Sequence, residues 1–540
     1  MNIHAIPRPQ VIHAVALAAM SASVLMWASG VSAQTAAQGA TPADAKATIV
    51  TAQMACARLS GKPIGGATLT TVVVKANGAA PTYCKVNGTI APSLNFEIRL
   101  PDAWNGKLYY GGGGGYDGSI PPLSVPALTA GYAEVVSDAG HQDKGGMSAA
   151  FAFNDTFAAQ LFGSLSVPTV MSTALKVVTA AYGAQPTSSY FEGCSNGGRE
   201  ALIAVQRNPN LFDGVIARAP GYNWVGFMGA FNRTAKALAA PGGAFSPAKT
   251  ALLAKHVRDV CDGLDGITDG IVANPAACTA KILNLGALRC VGGADTGDTC
   301  LSDAQLAVVK AWTTDAIFAG SSTYRSKGYN LTGNEDDPMG FGIWVSGNGD
   351  VSKAGQYLFQ DTTVKYYLAR DPKADSLKYS PWDRNQSALY ALAALNDATQ
   401  TDIRPFIKAG GKLIVWHGGS DAALSVNSTI EYMTNMEKSV GAENAAASTR
   451  FYVAPGVDHC EGGVGADKSD PLTALDQWVT KGVAPATLTA QKLDANGAVI
   501  LTLPLCQYPQ YPRYIGPANS AADAKLASSY TCTSPGVASK

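Results

Sequence analysis

Short apolar runs, each bounded by glycine or polar residues, recur along the chain and alternate with longer amphipathic stretches. The short runs predict strands, and the stretches at 167–182 and 197–207 predict helices between them. A regular alternation of strand and helix indicates a doubly wound α/β sheet, mixed or parallel. The predicted strands are Lys107–Tyr110, Tyr132–Ser137, Ser189–Glu192, Asp213–Arg218, Lys412–Trp416 and Arg450–Ala454.

The alternation stops between Arg218 and Lys412, in a stretch rich in glycine, aspartate and aromatic residues. A chain of 540 residues exceeds what one hydrophobic core serves, so a second domain or a large insertion is expected. We therefore interpret residues 221–400 as a lid domain inserted into a catalytic domain of residues 34–220 and 401–540. The later pattern predicts a closing helix at 471–481 and a short strand at 499–503.

The first 33 residues have the features of a signal peptide. Arg8 precedes an apolar run from Val11 to Trp27, and Val31–Ala33 fits the small-x-small cleavage rule. A membrane anchor is the alternative, but the run is short and interrupted by polar residues, and no other stretch is expected to span a bilayer. The sequence therefore predicts a protein that is secreted or periplasmic, without a membrane partner.

Composition and charge narrow the function further. Hydrophobic residues make up 47% and charged residues 15%, which is typical of a globular protein and not of a disordered one. Lys and Arg number 40, as do Asp and Glu, so the net charge is zero. A balanced chain gives no electrostatic reason to expect a nucleic acid as partner.

Ten cysteines in an exported chain indicate disulfide bonds. Spacing alone suggests four local pairs and leaves Cys194 and Cys460, which are far apart in sequence. The four local pairs are Cys56–Cys84, Cys261–Cys278, Cys290–Cys300 and Cys506–Cys532.

The strongest chemical signal is the pattern Gly193-x-Ser195-x-Gly197, which follows a predicted strand and precedes a predicted helix. This context is typical of the nucleophile elbow of α/β-hydrolases. The turn would present the Ser195 hydroxyl at the sheet edge and aim the backbone N–H of Asn196 at a developing oxyanion. An ordinary glycine-rich turn is the alternative interpretation.

A serine nucleophile needs a base, because its hydroxyl is weakly nucleophilic at neutral pH. In this fold the chain order is serine, acid and then histidine, with the histidine on a loop after a late strand. His459 fits, because it follows the strand at 450–454. We expect His141, His256 and His417 to be hydrogen-bonded structural histidines.

The acid should follow the preceding strand, and Asp421 lies just after Lys412–Trp416. Asp458 is the competitor, but as the immediate neighbour of His459 it is poorly placed to hydrogen-bond that imidazole. We interpret Asp458 as a loop or capping residue.

The two remaining cysteines flank these candidates, since Cys194 precedes Ser195 and Cys460 follows His459. If they pair, the disulfide ties the elbow to the histidine loop and restricts the unfolded chain. The alternatives are two buried thiols or a catalytic Cys194, and the elbow disfavours the latter.

Taken together, Cys194-Ser195, Asp421 and His459-Cys460 resemble the tannase and feruloyl esterase family, whose hallmark is a serine triad bracketed by a disulfide. The resemblance covers nearly all of the mature chain. Trp104–Lys107 and the tail at Pro504–Cys506 are part of it. It implies an α/β-hydrolase core, a lid over the active site and hydrolysis of esters of aromatic acids.

The glycine run Gly111–Gly115 also matches the family and follows a strand, where this fold places its other oxyanion donor. By resemblance Gly115 is the first choice and Gly114 the second. The other glycines of the run are equally compatible with a flexible turn.

A second constellation, from Cys261 to Ile271, is rich in aspartate and glycine. Its oxygen atoms suit a hard cation, although the spacing is not that of an EF-hand. The pattern resembles the family's lid calcium site, which implies a structural Ca2+ and no metal in catalysis. A solvated acidic turn is the alternative. The implied ligands are the side chains of Asp262, Asp265 and Asp269 and the carbonyls of Ile267 and Ile271.

The substrate is expected to be a small aromatic ester, alone or attached to a plant polysaccharide or polyphenol. The predicted lid is rich in aromatic residues, some of which would line a slot for an aromatic acyl group. The stretch Leu331–Asp350 contains no Lys or Arg, which weakly disfavours a substrate with a free carboxylate. That substrate stays an alternative, because several cations lie near this stretch in sequence: Arg325, Lys327, Lys353, Lys365 and Arg370. The sequence thus predicts a feruloyl esterase-like serine esterase. Alternatives are a tannase, a mono(2-hydroxyethyl) terephthalate hydrolase, a peptidase on the same fold and a non-catalytic polyphenol-binding protein.

Overall fold

A computed structural model describes residues 50–143, 145–318, 321–379, 382, 386–518 and 520–536. The predicted signal peptide at 1–33 lies outside these residues. The described strands and helices follow the predicted alternation closely, including the closing helix Pro471–Lys481.

The strands are β1 (Pro63–Ile64), β2 (Ala67–Val74), β3 (Tyr83–Ile90), β4 (Leu94–Pro101), β5 (Lys107–Gly111), β6 (Ala133–Ser137), β7 (Ser188–Cys194), β8 (Gly214–Arg218), β9 (Ala316–Phe318), β10 (Ser321–Ser326), β11 (Lys412–Gly418), β12 (Thr449–Ala454), β13 (Leu488–Leu493), β14 (Val499–Leu505), β15 (Tyr511–Tyr514) and β16 (Tyr530–Thr533). Ten of them form one sheet in the order β1-β2-β3-β4-β6-β5-β7-β8-β11-β12. The other six pair two by two.

The helices are α1 (Ala52–Leu59), α2 (Val125–Thr129), α3 (Thr156–Gln160), α4 (Ser166–Tyr182), α5 (Asn196–Arg207), α6 (Trp224–Ala239), α7 (Pro247–Cys261), α8 (Ala280–Leu283), α9 (Asp303–Thr313), α10 (Gly355–Thr363), α11 (Gln386–Asn396), α12 (Arg404–Lys408), α13 (Val426–Val440), α14 (Ala442–Ser448) and α15 (Pro471–Lys481).

The large sheet has a parallel part and an antiparallel part. Strands β6, β5, β7, β8, β11 and β12 run parallel, as the predicted crossovers require. Strands β1 to β4 add an antiparallel meander, joined where β4 pairs with β6. The sheet is therefore mixed, and its parallel part carries the predicted α/β core.

Both faces of the parallel part are covered by helices. Phe191 of β7 points into a core shared with α4 and α5, whereas its neighbour Tyr190 points into a second core with Leu475 and Trp478 of α15. Successive side chains on a strand alternate between faces, so a strand covered on both sides carries a continuous apolar run. This explains why the sequence pattern identified these strands.

Between Arg218 and Lys412, none of the described residues adds a strand to the ten-stranded sheet. Helices α6 to α12 and the β9–β10 pair lie in this segment. Its side chains share a core with the loop that follows β5, where Tyr116 packs against Trp224 and Phe359. The assignment of residues 221–400 as an inserted lid domain remains a prediction.

One helical stretch, Thr156–Tyr182, has the length and apolar composition of a membrane-crossing segment, contrary to the expectation from sequence. In its most apolar window, 61% is buried within the protein. Val170, Met171 and Ala174 pack fully buried in the core beside the sheet. These contacts are those of a core helix, which passes the same test of length and composition.

All five disulfide bonds considered from sequence are present. Each local pair has formed, and the distant pair has formed as well, so the alternative of two thiols is wrong. The bonds are Cys56–Cys84, Cys194–Cys460, Cys261–Cys278, Cys290–Cys300 and Cys506–Cys532. They are consistent with an oxidising, extracytoplasmic environment.

Candidate active site

Ser195 lies at a sharp turn between β7 and α5. Its backbone has φ 61° and ψ −118°, a conformation that non-glycine residues rarely adopt. A side chain at Gly193 would collide with Gly197, and one at Gly197 would collide with the Gly113 carbonyl. The two glycines therefore allow the tight turn, and the strained serine is positioned as the nucleophile elbow requires.

His459 and Asp421 come from the loops after β12 and β11. The Nδ1 atom of His459 lies 2.7 Å from Oδ2 of Asp421. Because a carboxylate accepts and does not donate, Nδ1 carries the proton and the lone pair remains on Nε2. This is the tautomer that a general base needs.

Asp421 is held as a carboxylate although it is buried. Its Oδ1 accepts hydrogen bonds from the backbone N–H groups of Ala423 (2.8 Å) and Leu424 (2.9 Å). Burial alone would raise the pKa of Asp421, but His459 and His417 lower it below its ordinary value. Asp421 therefore stays charged and orients the histidine.

Sequence reasoning missed a role for His417. This residue is fully buried in β11, and its Nε2 lies 3.1 Å from both Asp421 Oδ2 and the Leu424 carbonyl. Both partners are acceptors, so Nε2 carries the proton and Nδ1 accepts from the Thr429 hydroxyl at 2.9 Å. His417 is the structural histidine predicted, but it also supports the acid.

The other histidines lie apart from the site. His256 bonds the Leu283 carbonyl through Nε2 at 2.6 Å, as expected for a structural histidine. His141 stacks on Phe151 with 3.7 Å between ring centroids. Neither of its nitrogens has a hydrogen bond of good geometry among the described residues, although a backbone group of Tyr116 lies close to the ring, so hydrogen bonding of His141 stays a prediction.

Asp458 is not the orienting acid. It is fully buried, and neither carboxyl oxygen accepts a hydrogen bond from the described residues, so it is not a cap. Burial and the nearby acid Asp337 raise the pKa of Asp458 to about 9. A protonated acid does not stabilise an imidazolium, so the geometry favours Asp421 over Asp458 as the partner of His459.

The Cys194–Cys460 disulfide holds the two loops together. Its Cα atoms are 6.0 Å apart although the cysteines are separated by 266 residues in sequence. Ser195 and His459 are the next residues on either side, and both line one cavity. Among described residues no hydrogen bond joins the Ser195 hydroxyl to the His459 ring, and in enzymes without substrate this contact is often long and tightens only in the substrate complex.

Two unpaired N–H groups lie beside Ser195. The backbone N–H groups of Gly115 and Asn196 have no acceptor among the described residues, and both residues line the same cavity. Gly115 has φ 61°, and a Cβ there would collide with the Gly146 carbonyl, so the position requires glycine. The geometry favours Gly115 over the second choice, Gly114, which does not line the cavity.

The cavity has an empty volume of about 350 Å3 and is bounded mainly by aromatic and aliphatic side chains. No Lys, Arg, Asp or Glu lines it within the part of the chain that the structure describes. Trp344 packs edge-on against His459, with 5.2 Å between ring centroids. Besides Ser195 and His459, the lining residues are Gly115, Asn196, Gly221, Trp224, Phe227, Met228, Phe231, Trp344, Phe359, Ala423 and Leu424.

Residues 74–533 match the family model described as tannase and feruloyl esterase. The chain belongs to this family. It is 31% identical over 529 residues to mono(2-hydroxyethyl) terephthalate hydrolase of Piscinibacter sakaiensis, covering 85% of this chain and 86% of the relative. It is 29% identical over 468 residues to a probable feruloyl esterase of Arthroderma benhamiae, covering 84% and 85%. The solved feruloyl esterase B from Aspergillus oryzae matches with a TM-score of 0.77 and 22% identity, covering 89% of this chain and 100% of that chain.

Family membership makes this protein a carboxylic ester hydrolase. The structural match and the mixed sheet with its flanking helices give it an α/β-hydrolase-like architecture. The resemblance noted from the elbow and the cysteines is thereby confirmed.

The loop rich in aspartate and glycine, which contains Asp262, Asp265 and Asp269, lies directly after α7. Each of its aspartates accepts backbone N–H groups: Asp262 from Gly270 at 2.8 Å, Asp265 from Ala273 at 2.8 Å, and Asp269 from Ile271 at 3.0 Å. Among the described residues, no three acidic, His or Cys side chains converge closely enough to hold one ion. Calcium therefore remains a prediction.

The electrostatics of the loop nonetheless suit a cation. No Lys or Arg forms an ion pair with these aspartates in the described chain, and Arg258 in the last turn of α7 pairs with Asp336 instead. Burial raises the pKa of Asp265 to about 8 and that of Asp269 to about 6, and repulsion between neighbouring carboxylates adds to both. A divalent cation would stabilise the charged forms that burial disfavours.

Proposed function

We propose that this family member is an exported serine esterase that hydrolyses esters of aromatic acids in the manner of a feruloyl esterase. Ser195 is the nucleophile, His459 the general base and Asp421 the acid that orients it. The observation that carries the proposal is that Ser195 and His459 line one aromatic-walled cavity, while Asp421 bonds His459 from behind. The predicted signal peptide and the disulfides support export.

The chemistry is two-step acyl transfer. His459 Nε2 takes the hydroxyl proton as Ser195 Oγ attacks the ester carbonyl carbon, and the N–H groups of Gly115 and Asn196 receive the oxyanion. The C–O bond to the alcohol breaks, and the alcohol leaves with the proton from His459. A water molecule then attacks the acyl-enzyme by the same route in reverse, which releases the aromatic acid and restores Ser195.

The acyl group is expected to be aromatic and uncharged, of the hydroxycinnamic or benzoic type. Trp224, Phe227 and Phe359 offer apolar and aromatic surface to such a ring. A free carboxylate on the ring would be buried without a cation to pair with it, which costs roughly several kcal/mol. The cavity thus favours feruloyl-type esters over the terephthalate monoester named for one relative.

Initial hydrolysis rates on methyl ferulate, methyl gallate and mono(2-hydroxyethyl) terephthalate test the substrate class. We expect methyl ferulate to be turned over fastest and the terephthalate monoester slowest. Labelling by a fluorophosphonate, located by peptide mass spectrometry, should fall on Ser195. Fastest turnover of the terephthalate monoester would contradict the neutral pocket, and no turnover with Ser195 still labelled would contradict the substrate class alone. An unlabelled Ser195 in a protein that binds polyphenols would favour the non-catalytic alternative.

We also infer a structural Ca2+ held by the loop after α7. The side chains of Asp262, Asp265 and Asp269 and the carbonyls of Ile267 and Ile271 would supply the hard oxygen ligands that Ca2+ prefers. The ion would favour the ionised carboxylates, which burial disfavours by raising the pKa of Asp265 and of Asp269. Calorimetric titration of chelator-treated protein with Ca2+ should show binding that Asp265→Asn weakens, and an equal melting temperature with Ca2+ and with chelator would contradict the site.

A further inference from the structure

A pair of buried acids lies behind the two donors of the oxyanion hole. Asp117 follows the glycine run and is 4% exposed, while Glu200 lies in α5 and is 7% exposed. Neither touches the cavity, so neither takes part in the mechanism above. Their positions nonetheless connect them to both donors.

Glu200 holds the glycine loop. Its Oε2 accepts the backbone N–H of Gly113 at 3.0 Å, and the Gly113 carbonyl accepts the N–H of Gly197 at 3.1 Å. The loop segment two residues before Gly115 is therefore fastened on both sides to the first turns of α5.

Asp117 holds the elbow. Its Oδ2 accepts a hydrogen bond from Asn196 Nδ2 at 2.9 Å, and its own N–H bonds the Gly114 carbonyl at 2.8 Å. Arg199 fixes the other end of the Asn196 amide by donating Nε to Oδ1 at 2.7 Å. The side chain of Asn196, whose backbone N–H is the proposed oxyanion donor, is therefore fixed by hydrogen bonds through both its Nδ2 and its Oδ1 atoms.

The two acids converge on the same glycine: Glu200 Oε2 accepts the Gly113 N–H, and a Cβ placed on Gly113 would collide with Asp117 Oδ1. Two carboxyl groups held this close in a buried site can hydrogen-bond to each other only if one keeps its proton. Asp117 Oδ1 is buried and has no hydrogen-bond partner among the described residues. Burial, with Glu200 beside it, raises the pKa of Asp117 well above its ordinary value, and burial raises that of Glu200.

Charge balance agrees with a single shared proton. The fully buried Arg199 is the nearby cation, and in the described structure it donates to the Phe162 and Gly163 carbonyls and forms no ion pair with either acid. One negative charge on the pair offsets one positive charge on Arg199, whereas two ionised acids would leave an uncompensated buried charge.

We propose that Asp117 and Glu200 share one proton and act as positioning residues, tying the glycine loop to the elbow so that the Gly115 and Asn196 N–H groups stay aimed at the oxyanion. This inference rests on the proposed serine mechanism. A donor displaced from the oxyanion loses stabilisation of the transition state more than of the bound ester, so kcat should depend on the pair more than KM does.

The test compares conservative and disruptive variants on p-nitrophenyl acetate, a small ester that does not depend on the proposed acyl specificity. Glu200→Met fills the space but removes the bonds to Gly113 and Asp117. Glu200→Gln and Asp117→Asn keep an acceptor and supply an N–H in place of the shared proton. Glu134→Met and Glu134→Gln are matched controls, because Glu134 is a buried acid of β6 that pairs with Arg99 and lies outside the cavity.

We expect Glu200→Met to lower kcat by about 10- to 100-fold with KM changed by less than about 3-fold, since loss of one direct oxyanion donor costs about 100- to 1000-fold. Its affinity for phenylboronic acid, which forms a tetrahedral anion on serine, should fall by a similar factor. Glu200→Gln and Asp117→Asn should keep kcat within about 3-fold of the wild type, because their amides preserve the hydrogen bonds that hold the oxyanion donors in place.

A kcat for Glu200→Met no lower than that of Glu134→Met would overturn the proposal, as would a folded Glu200→Gln as impaired as Glu200→Met. Should Glu200→Met not fold, the Gln and Asn variants decide alone: boronate affinity or kcat reduced by more than about 10-fold in both would refute the shared-proton arrangement. A wild type that hydrolyses no ester and is not labelled at Ser195 would overturn the proposed function itself, whereas failure of this inference leaves the wild type active.

Discussion

The loop after β11 and the loop after β12 each place a buried aspartate beside the same histidine, yet the two acids differ in charge. Asp421 accepts two backbone N–H groups and contacts the rings of His459 and His417, so it remains ionised. Asp458 accepts no hydrogen bond from the described residues, and its raised pKa keeps it neutral. Burial is common to both, so the supply of donors decides which acid can orient the base.

Replacing the ionised acid should have the largest effect. Asp421→Asn keeps the shape but offers an amide that can stabilise the wrong histidine tautomer, so we expect kcat to fall by about 10000-fold. Asp458→Asn should change kcat by less than about 3-fold, because Asp458 is already neutral. Steady-state rates on methyl ferulate measure both, and similar losses in the two variants would remove the distinction between the loops.

Removing the Cys194–Cys460 disulfide shows how much the link between the turn at Ser195 and the loop after β12 contributes to stability. Opening Cys194–Cys460 with a Cys194→Ser/Cys460→Ser double variant should lower the free energy of unfolding by about 5 kcal/mol in the chain-entropy model, because it closes a long loop. The matched Cys290→Ser/Cys300→Ser variant opens a short loop and should cost about 3 kcal/mol. Denaturant unfolding measures both, and an equal or smaller loss for the long loop would contradict the expectation.

Replacing His417 should lower kcat less than replacing Asp421 does, but more than replacing His256, which lies away from the cavity. His417→Phe removes one hydrogen bond to the Asp421 carboxylate and leaves the others, so we expect kcat to fall by about 10-fold with little change in KM. His256→Phe is the control, because His256 bonds only the Leu283 carbonyl away from the cavity. Unchanged kcat in His417→Phe would show that the acid does not need the second imidazole.

The protonated state of Asp458 should make the free energy of unfolding depend on pH. Its folded pKa of about 9 lies above its ordinary value of 3.8, so between these pH values the folded protein keeps a proton that the unfolded chain releases. Stability therefore falls as pH rises from about 4 to about 9. Neighbouring charges acting on Asp458 come from Asp337, Asp421 and Lys492.

Replacing Asp458 with a residue that does not titrate should make the stability of the folded protein less dependent on pH. In Asp458→Asn, the melting temperature relative to the wild type should be higher at pH 8 than at pH 5, by a few degrees. Thermal unfolding at the two pH values gives the comparison, and the same difference at both would mean that Asp458 is not the protonated acid described.

The parallel strands could be predicted because each carries a short apolar run that alternates along the chain with a helical pattern, but the antiparallel meander could not. In β4, Glu97 and Arg99 interrupt the pattern, and they are tolerated within the sheet because Arg99 bonds Glu97 and Glu134. In β2, buried and exposed residues alternate, with threonine at several positions. Neither strand has the continuous run of apolar residues that is typical of a strand covered by helices on both faces.

The proposed nucleophile, base and acid could be chosen from the sequence because a motif and a fixed chain order point to them, and the structure brings these three residues together. The supporting residues could not be predicted in the same way. His417, Asp117 and Glu200 act through contacts that the folded chain creates, and no local pattern marks a shared proton or a second imidazole on a carboxylate. Asp458 shows the same limit, because sequence position excluded it as the acid but did not reveal its neutral state.

The most direct measurement is the rate of methyl ferulate hydrolysis by the wild type and by Ser195→Ala, with folding of both verified by thermal unfolding. The account predicts a loss of at least about 1000-fold in a variant that melts like the wild type. A folded Ser195→Ala enzyme that retains activity within about 10-fold of the wild type would contradict the assignment of Ser195 as the nucleophile.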